Sequence, residues 1–189
     1  MRYEKGRKEA SKRRIVEIAA QKFRSDGIAA TGLAGIMTEA GLTNGAFYPH
    51  FKSKAALVGE SVSAALEEQS QQIAELLVAG GPDMVIDTYL SAAHRDNPGI
   101  GCASSALLSE LGREPAETRH LYTEHVRPLV HQLADQLDPQ VADRESVAMA
   151  VFATLIGSLQ LARTVDDAEL SDRILTAGAE AARTLVRPR

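Results

Sequence analysis

Residues 31–54, TGLAGIMTEAGLTNGAFYPHFKSK, constrain the fold more than any other segment, because they predict two short helices joined by a tight turn. Four apolar side chains recur at i, i+3, i+4 and i+7, the spacing of one helix face. They are Leu33, Ile36, Met37 and Ala40. Thr31 stands ahead of them as an expected N-cap. Gly41 follows where a helix end commonly requires the left-handed conformation, so the first helix ends there.

A second helix is predicted to begin at Asn44. Thr43 is its expected N-cap, and Leu42 and Phe47 have the spacing of a hydrophobic staple across the first turn. Phe47 and Phe51 lie four residues apart on one face and are expected to enter the core. The opposite face remains available for a partner.

The polar residues of that second face suit DNA. An asparagine such as Asn44 can pair with adenine in the major groove, and Gly45 permits close approach of the backbone. Tyr48 and His50 can donate hydrogen bonds to phosphates. Ser53 is the expected N-cap of a third helix that begins with Lys54, where a bound phosphate would offset the unfavourable charge at the helix N-terminus. The assigned DNA-contact residues are Thr31, Thr43, Asn44, Gly45, Tyr48, His50 and Lys54.

The segment resembles the DNA-binding domain of TetR-family transcriptional regulators. Their pattern runs from an Ala-Gly-hydrophobic-Ser/Thr turn into FYxHF and then Ser-Lys. The matching residues are Ala40, Gly41, Leu42, Thr43, Phe47, Tyr48, His50, Phe51, Ser53 and Lys54. The resemblance implies a homodimer that binds a palindromic operator on double-stranded DNA, and most often a repressor that a small-molecule effector releases.

Two positions depart from that pattern. Pro49 occupies the variable position of FYxHF, where it removes a backbone donor and constrains the preceding residue, so the second helix is expected to tighten or end there. Base reading then shifts toward Thr43, Asn44 and Gly45. Ala55 and Ala56 replace the glutamate that many relatives carry, so the third helix lacks a capping box.

Charge is divided unevenly along the 189 residues, although the whole chain carries a net −4. Residues 1–54 contain eleven basic and five acidic side chains, whereas residues 55–189 contain ten basic and twenty acidic ones. A basic N-terminal part favours phosphate contact through counterion release, and an acidic body discourages the rest of the chain from lying on DNA.

The remaining pattern predicts an all-α fold of about nine helices in two domains, 1–54 for DNA binding and 55–189 for effector binding and dimerisation. Residues up to about 10 are expected to form a mobile basic arm, and a first helix covers residues 11–24. A long helix runs to about residue 78, before Gly80, Gly81 and Pro82 interrupt it. Apolar-periodic segments then cover about 83–95, 102–111, 115–137, 139–163 and 167–186. No segment alternates as a strand would.

The last two helices carry apolar residues with small ones between them, a composition that permits close packing. These residues are Val147, Ala150, Val151, Thr154, Leu155, Gly157, Ser158 and Leu159. By resemblance, both helices pair with their copies in a second subunit. The alternative, in which they pack only within one chain, stays open.

The effector site stays unassigned at this stage. Pro128 lies inside a predicted helix and is expected to bend it, which commonly opens space alongside. The hypothesis is that an effector in the body moves the long linking helix and so changes the spacing of the two DNA-binding domains. Scattered histidines and tyrosines of the body are candidates to line such a site, without assignment.

Cys102 supports an alternative function. It opens a predicted helix, whose dipole favours thiolate, so the protein could sense oxidants or electrophiles. The opposing interpretation is a small buried hydrophobic residue. A cysteine and histidine enzyme using His94 or His125 is a further alternative, but no orienting group or nucleotide-binding glycine pattern accompanies these residues, so we expect no enzyme. Cofactors and structural metals are not expected, and the charged N-terminus predicts a cytoplasmic protein.

Overall fold

The computed structural model describes residues 2–188, together with the side chains of residues 6–188, and within that range it contains α-helices and 3-10 turns without strands. The eight α-helices are α1 Arg2–Asp26, α2 Leu33–Glu39, α3 Lys54–Tyr89, α4 Ala92–Asp96, α5 Ala103–Leu111, α6 Ala116–Asp135, α7 Arg144–Thr164 and α8 Ala168–Val186. Two 3-10 turns cover Asn44–Ala46 and Pro98–Ile100. The all-α prediction is confirmed.

The N-terminal helix is longer than the sequence pattern indicated. We predicted a mobile arm up to about residue 10, but α1 is helical from Arg2 onward. Residues 2–14 are rich in lysine, arginine, glutamate and alanine, which are good helix formers, and this intrinsic propensity extends the helix without an apolar face. Ile15, Ala19 and Phe23 then pack in the core.

The long helix α3 contains the predicted interruption. Gly80 and Gly81 have non-helical backbone angles, with Gly81 at a φ of 67°, a left-handed value that glycine tolerates. Pro82 then starts a second helical stretch, where its missing N–H costs nothing. The element therefore has two straight parts, one beside the N-terminal helices and one in the body.

Buried side chains form two hydrophobic clusters. The first joins α1, α2 and the beginning of α3, and it includes Ala103, Leu107 and Leu111 from α5. The second joins the later part of α3 with α6, α7 and α8, and it includes Cys102. Cys102, the residue before α5, therefore belongs to the second cluster, whereas α5 itself packs in the first. This position makes α5 a connection between the two clusters.

Helices α7 and α8 pack along each other within one chain. Gly178 permits this approach, because a Cβ placed there would meet Ser158 and lie 3.2 Å from Leu90 Cδ1. Of the residues that we expected at a subunit interface, Val151, Leu155 and Leu159 are buried in the chain's own core. The predicted interface role is wrong for these three residues, which face the interior of their own chain.

The outer face of α7 is apolar. An 18-residue window of the helix has a mean hydropathy of 1.5, and 33% of that window is buried, so α7 is long and apolar enough for a membrane span by length and composition alone. Its packing against α6 and α8 is that of a helix in a helical bundle. A groove of about 700 Å³ separates α7 from the part of α6 around Pro128, where we expected space.

Candidate nucleic-acid interface and effector pocket

The turn after α2 has the predicted conformation. Gly41 has a φ of 72°, and the amide of Leu42 donates to the carbonyl of Met37 at 2.9 Å while that of Gly41 donates to Thr38 at 3.0 Å. These two bonds form a Schellman motif, which ends a helix sharply. The first helix of the pair therefore ends where the sequence predicted.

Thr31 has a different role from the one predicted. The N-cap of α2 is Gly32, without a side-chain bond. The Thr31 hydroxyl instead donates to the carbonyl of Gly27 at 2.6 Å, and the residue is 5% exposed. Its N-cap assignment is wrong because the side chain turns back toward the end of α1. A DNA contact from Thr31 stays a prediction, with little of its surface available.

The second helix of the pair begins at Asn44, as predicted, but it forms only a 3-10 turn, Asn44–Ala46. Thr43 precedes it in the N-cap position without donating or accepting a side-chain capping bond. Pro49 explains the short length, since it has no N–H to donate to the preceding turn and its ring crowds that turn. The segment then continues in turns, and the amide of His50 donates to the carbonyl of Phe47.

Two buried aromatic rings hold this short segment in place. Phe47 and Phe51 are 1% and 2% exposed and stack with ring centroids 5.4 Å apart. Tyr48 packs edge-on against Phe47 at 5.4 Å but is itself 73% exposed. The predicted core role of the two phenylalanines is confirmed, and their packing presents Tyr48 at the surface.

The surface around Tyr48 contains the other predicted contact residues. Thr43, Asn44 and Gly45 are exposed, and His50 is half-buried. Burial lowers the pKa of His50, and the nearby ammonium groups of Lys8 and Lys12 lower it further. His50 is therefore a neutral donor or acceptor at pH 7, and no other residue is bonded to its Nδ1 within the part of the chain that the structure describes.

Lys54 begins α3, as predicted, after the N-cap Ser53, whose hydroxyl accepts from the amide of Ala56 at 3.1 Å. Its ammonium, however, donates to the carbonyl of Ile28 at 2.6 Å. The predicted phosphate contact would therefore require Nζ to share its protons between that carbonyl and an anion, which three N–H groups allow.

Sequence analysis missed the carboxylate beside Lys54. Glu110, in the last turn of α5, accepts from the amide of Ile28 at 3.1 Å and from that of Ala29 at 2.9 Å. We call the bonds from Glu110 and Lys54 to the turn after α1 the Glu110 clamp. A sequence separation of more than 80 residues leaves no local signal for it.

The body contains a partly open cavity of about 310 Å³ between the two parts of α3 and the start of α5. Its walls are mostly apolar, including Ile73, Leu76, Val85 and Ile100. Gln69 and Tyr89 also line it, and each is 5% exposed. Neither amide atom of Gln69 nor the hydroxyl of Tyr89 has a hydrogen-bond partner in residues 2–188. Such orphaned polar groups are uncommon in folded proteins.

His94 and Cys102 form one wall of the cavity. The Nδ1 of His94 donates to the carbonyl of Tyr89 at 2.7 Å, so its Nε2 is free to accept from the amide of Cys102 at 3.0 Å. Burial lowers the pKa of His94. The Cys102 side chain is 4% exposed, and its Sγ accepts from the amide of Ser105 at 3.3 Å.

The cysteine and histidine pair that we considered as a remote alternative is not assembled as a catalytic pair. His94 bonds to the backbone of Cys102 and not to its thiol, and His125 instead bonds to the hydroxyl of Ser63 at 2.9 Å. Neither histidine is placed to take a proton from Sγ within these contacts.

The N-terminal helices are similar in sequence to known regulatory proteins. Residues 15–60 match the family described as bacterial regulatory proteins, tetR family. The uncharacterized HTH-type transcriptional regulator YerO of Bacillus subtilis (strain 168) is 47% identical over 47 residues, which cover 25% of this chain and 16% of that protein's length. The N-terminal part of the chain is therefore similar in sequence to TetR-family regulators.

Solved structures share the fold of this chain along nearly its whole length. The reduced form of NemR from E. coli superimposes with a TM-score of 0.78 at 17% identity, covering 95% of this chain and 98% of NemR. A TetR-family regulator from Agrobacterium tumefaciens gives 0.75 at 22% identity, covering 92% and 98%. One from Chloroflexus aurantiacus J-10-fl gives 0.70 at 24% identity, with both chains fully covered.

A second clamp joins the cavity wall to α1. Arg24, which is 6% exposed, donates from Nη1 to the carbonyl of Gly101 at 3.2 Å and to the carboxylate of Glu68 at 3.3 Å. Gly101 lines the cavity beside Cys102. Sequence analysis counted Arg24 only among the eleven basic side chains of residues 1–54, and its burial, which no local pattern indicates, gives it this structural role.

Proposed function

We propose that this chain is a ligand-responsive repressor of the TetR family that binds a palindromic operator as a homodimer. The observation that carries the proposal is the exposed set Thr43, Asn44, Gly45 and Tyr48 on a segment whose aromatic neighbours are fixed in the core. Exposed basic residues of α1 extend that surface and suit phosphate contact. They are Arg7, Lys8, Arg13 and Arg14.

The dimer is proposed to form through the outer faces of α7 and α8. On α7 the exposed apolar residues Met149, Ala153 and Gly157 recur every four positions, and Leu161 continues the same stripe with 60% of its surface exposed. On α8 a matching stripe of Leu170, Ile174, Ala177 and Ala181 lies outward or half-buried. Small residues within an apolar stripe permit close contact between helices of two subunits.

A dimer is needed because a single short 3-10 recognition segment offers few base contacts. Two copies related by a two-fold axis contact both halves of a palindrome and combine their binding free energies. We infer that the protein acts in the cytoplasm, where its operator is.

The cavity beside Gln69 and Tyr89 is the proposed effector site. Its size and composition are those of a small-molecule site, since its walls are apolar and its polar groups are few. An effector there contacts α3 on one side and the wall of Gly101 and Cys102 on the other. Both walls continue to the DNA-binding helices, so an effector that prefers one arrangement of them changes operator affinity.

Operator binding tests the DNA-contact residues. Tyr48→Phe and Lys54→Ala are expected to weaken binding to all sequences, and Lys54→Ala to reduce the slope of log K against log salt by about one unit. Asn44→Ala is expected to relax base preference and spare nonspecific affinity. The measurement is fluorescence anisotropy on selected operator DNA and on random DNA at several salt concentrations. An unchanged salt slope for Lys54→Ala contradicts its phosphate contact.

A thiol-based sensor through Cys102 is the second candidate. The observation that favours it is the position of Sγ, at the cavity wall and at the N-terminus of α5. The similar fold of NemR, a protein whose structure is described as a reduced form, is consistent with it. If native protein reacts with iodoacetamide no faster than urea-unfolded protein at neutral pH, this alternative fails.

A further inference from the structure

The hydroxyl of Tyr89 lies against the side chain of Cys102 without a hydrogen-bond partner. Tyr89 is 5% exposed, and its hydroxyl is unpaired in the part of the chain that the structure describes. Cys102 and Ser105 are the side chains beside it, and burial raises the pKa of the hydroxyl well above its ordinary value. Tyr89 therefore keeps its proton at neutral pH and is a donor that lacks an acceptor.

The other polar side chain beside Tyr89 is already engaged. The hydroxyl of Ser105 donates to the carbonyl of Cys102 at 3.0 Å and accepts from Nη1 of Arg163 at 3.1 Å. The sulfur of Cys102 is the remaining neighbour of the Tyr89 hydroxyl, and a thiol sulfur is a weak acceptor. A buried donor left in this state is uncommon in folded proteins and requires an explanation.

A negative charge on the Cys102 side chain would lie among hydrogen-bond donors. The amide of Ser105 already donates to Sγ at 3.3 Å, at the N-terminus of α5, where the helix dipole favours an anion. Arg163 lies beside the same serine, and its guanidinium donates to three neutral oxygen atoms, none of which compensates its charge. Among the described residues, the cavity wall includes no aspartate or glutamate. The surroundings of Sγ therefore suit an anionic group.

We propose that hydrogen peroxide oxidises Cys102 to a sulfenate whose oxygen accepts a hydrogen bond from the hydroxyl of Tyr89. Cys102 lines the partly open cavity, from which a small uncharged oxidant reaches Sγ. The thiolate sulfur attacks one peroxide oxygen, and the S–O bond forms as the O–O bond breaks. The departing hydroxide takes the proton of the transferred oxygen and leaves as water. The sulfur loses two electrons, which the peroxide gains.

The persistence of this sulfenate depends on its own hydrogen bonds. The chain contains a single cysteine, so no second thiol of the same chain converts the sulfenate to a disulfide. A charged oxygen is a far better acceptor than a thiol sulfur, and the Tyr89 hydroxyl gains its partner only in the oxidised protein. This inference rests on the thiol-based sensor, the second candidate function, and it names the oxidant and the residue that holds the oxidised form.

The lifetime of the sulfenate tests the role of Tyr89. Full-length protein is treated with hydrogen peroxide, catalase removes the excess, and samples are unfolded at intervals in urea that contains dimedone, which labels sulfenic acids. Mass spectrometry then gives the labelled fraction of Cys102. We expect Tyr89→Phe to shorten the lifetime about tenfold, and Tyr122→Phe, whose hydroxyl donates to Ser104 at 3.1 Å, to leave it unchanged. An unlabelled wild type, or equal lifetimes in the two variants, overturns the proposal.

Melting temperatures provide a second test. Reduced Tyr89→Phe is expected to melt no lower than the reduced wild type, because the hydroxyl that it loses has no partner there. Peroxide should destabilise Tyr89→Phe more than the wild type, since only the wild type donates to the sulfenate oxygen. Cys102→Ser, treated in the same way, corrects for oxidation of the four methionines. Equal shifts in the two proteins, or a reduced Tyr89→Phe that melts below the reduced wild type, overturn the proposal.

Operator binding before and after peroxide treatment separates this inference from the function on which it rests. If the sulfenate forms and depends on Tyr89 while operator affinity stays the same, the inference stands and the sensor function fails. If peroxide changes operator affinity equally in the wild type and in Tyr89→Phe, but not in Cys102→Ser, the sensor function stands and the inference fails.

Discussion

At the scale of single residues, His94 couples the cavity wall to pH. Its neutral ring accepts from the amide of Cys102, and burial lowers its pKa from the ordinary value of 6.5. Above pH 6.5 the ring is neutral in both folded and unfolded chains. Below it the unfolded chain takes up the proton first, so His94 reduces stability as the pH falls from 6.5 toward the lower folded pKa.

We therefore expect His94→Gln to lose less stability than the wild type between pH 7.5 and pH 5.5. Its amide oxygen can still accept from Cys102 but does not titrate. Urea unfolding at both pH values measures the difference. His50, whose pKa is also lowered, contributes the same trend to both proteins and cancels in the comparison. The exposed His131→Gln is the control, and an equal effect from it would contradict the assignment.

Single residues also mark the limit of prediction from sequence. Gly41, Phe47 and Phe51 were predicted correctly, because each follows from local chemistry: a left-handed turn or an apolar spacing. Thr31 and Lys54 were assigned to N-cap and phosphate, yet their side chains bond to backbone carbonyls of the turn after α1. Those partners are set by tertiary packing, which a local pattern does not encode.

At the scale of elements, α5 connects the cavity to the DNA-binding helices. It starts beside Cys102 at the cavity wall and carries in its last turn Glu110, which accepts from two amides of the turn after α1. Sequence analysis assigned coupling to the long helix α3. The Glu110 clamp adds a second connection that runs through α5.

Glu110→Gln is expected to weaken this connection. An amide side chain offers one oxygen, so one of the amides of Ile28 and Ala29 loses its acceptor, at a cost of about 1 kcal/mol. Hydrogen exchange monitored by NMR should show faster exchange at the amide that loses its acceptor. Glu124→Gln, on the exposed surface of α6, is the matched control. If both amides are equally protected in Glu110→Gln and in the wild type, Glu110 does not hold this turn.

Packing between α7 and α8 depends on Gly178. A Cβ at that position lies 2.5 Å from Ser158 Cβ, so Gly178→Ala is expected to destabilise the chain by about 1–3 kcal/mol. Gly35→Ala in α2 is the matched control, because Gly35 is an exposed helical glycine and a Cβ placed there has nothing within 4 Å. Chemical denaturation measures both. The expectation is wrong if the two alanine variants have the same stability.

Element boundaries follow from sequence only where a residue type dictates them. Gly80 and Gly81 interrupt α3 as predicted, since a φ of 67° suits glycine. Pro49 shortened the recognition segment more than we predicted, to one 3-10 turn. The start of α1 was wrong, because helix propensity without an apolar face gave no periodic signal.

At the scale of the whole molecule, the all-α architecture was predictable because most segments follow a helical period between glycine or proline breaks and none alternates as a strand would. The cavity was not, since Gln69, Tyr89 and Cys102 come from three separate parts of the chain. Their convergence depends on how the two parts of α3 pack around α5. The proposed subunit interface was not predictable either, because it depends on which faces of α7 and α8 stay exposed after the chain folds.

Disruption of those faces tests the proposed assembly. Leu161→Glu places a charge in the exposed apolar stripe of α7, so we expect it to convert the dimer to monomers, which sedimentation velocity measures. The monomer should bind operator DNA far more weakly, because only one half-site is then occupied at a time. Val78→Glu is the control, since Val78 is more exposed, at 89% against 60%, but lies outside the stripe. If both variants sediment like the wild type, the two subunits meet elsewhere, and if the wild type is itself monomeric, the palindromic operator loses its structural basis.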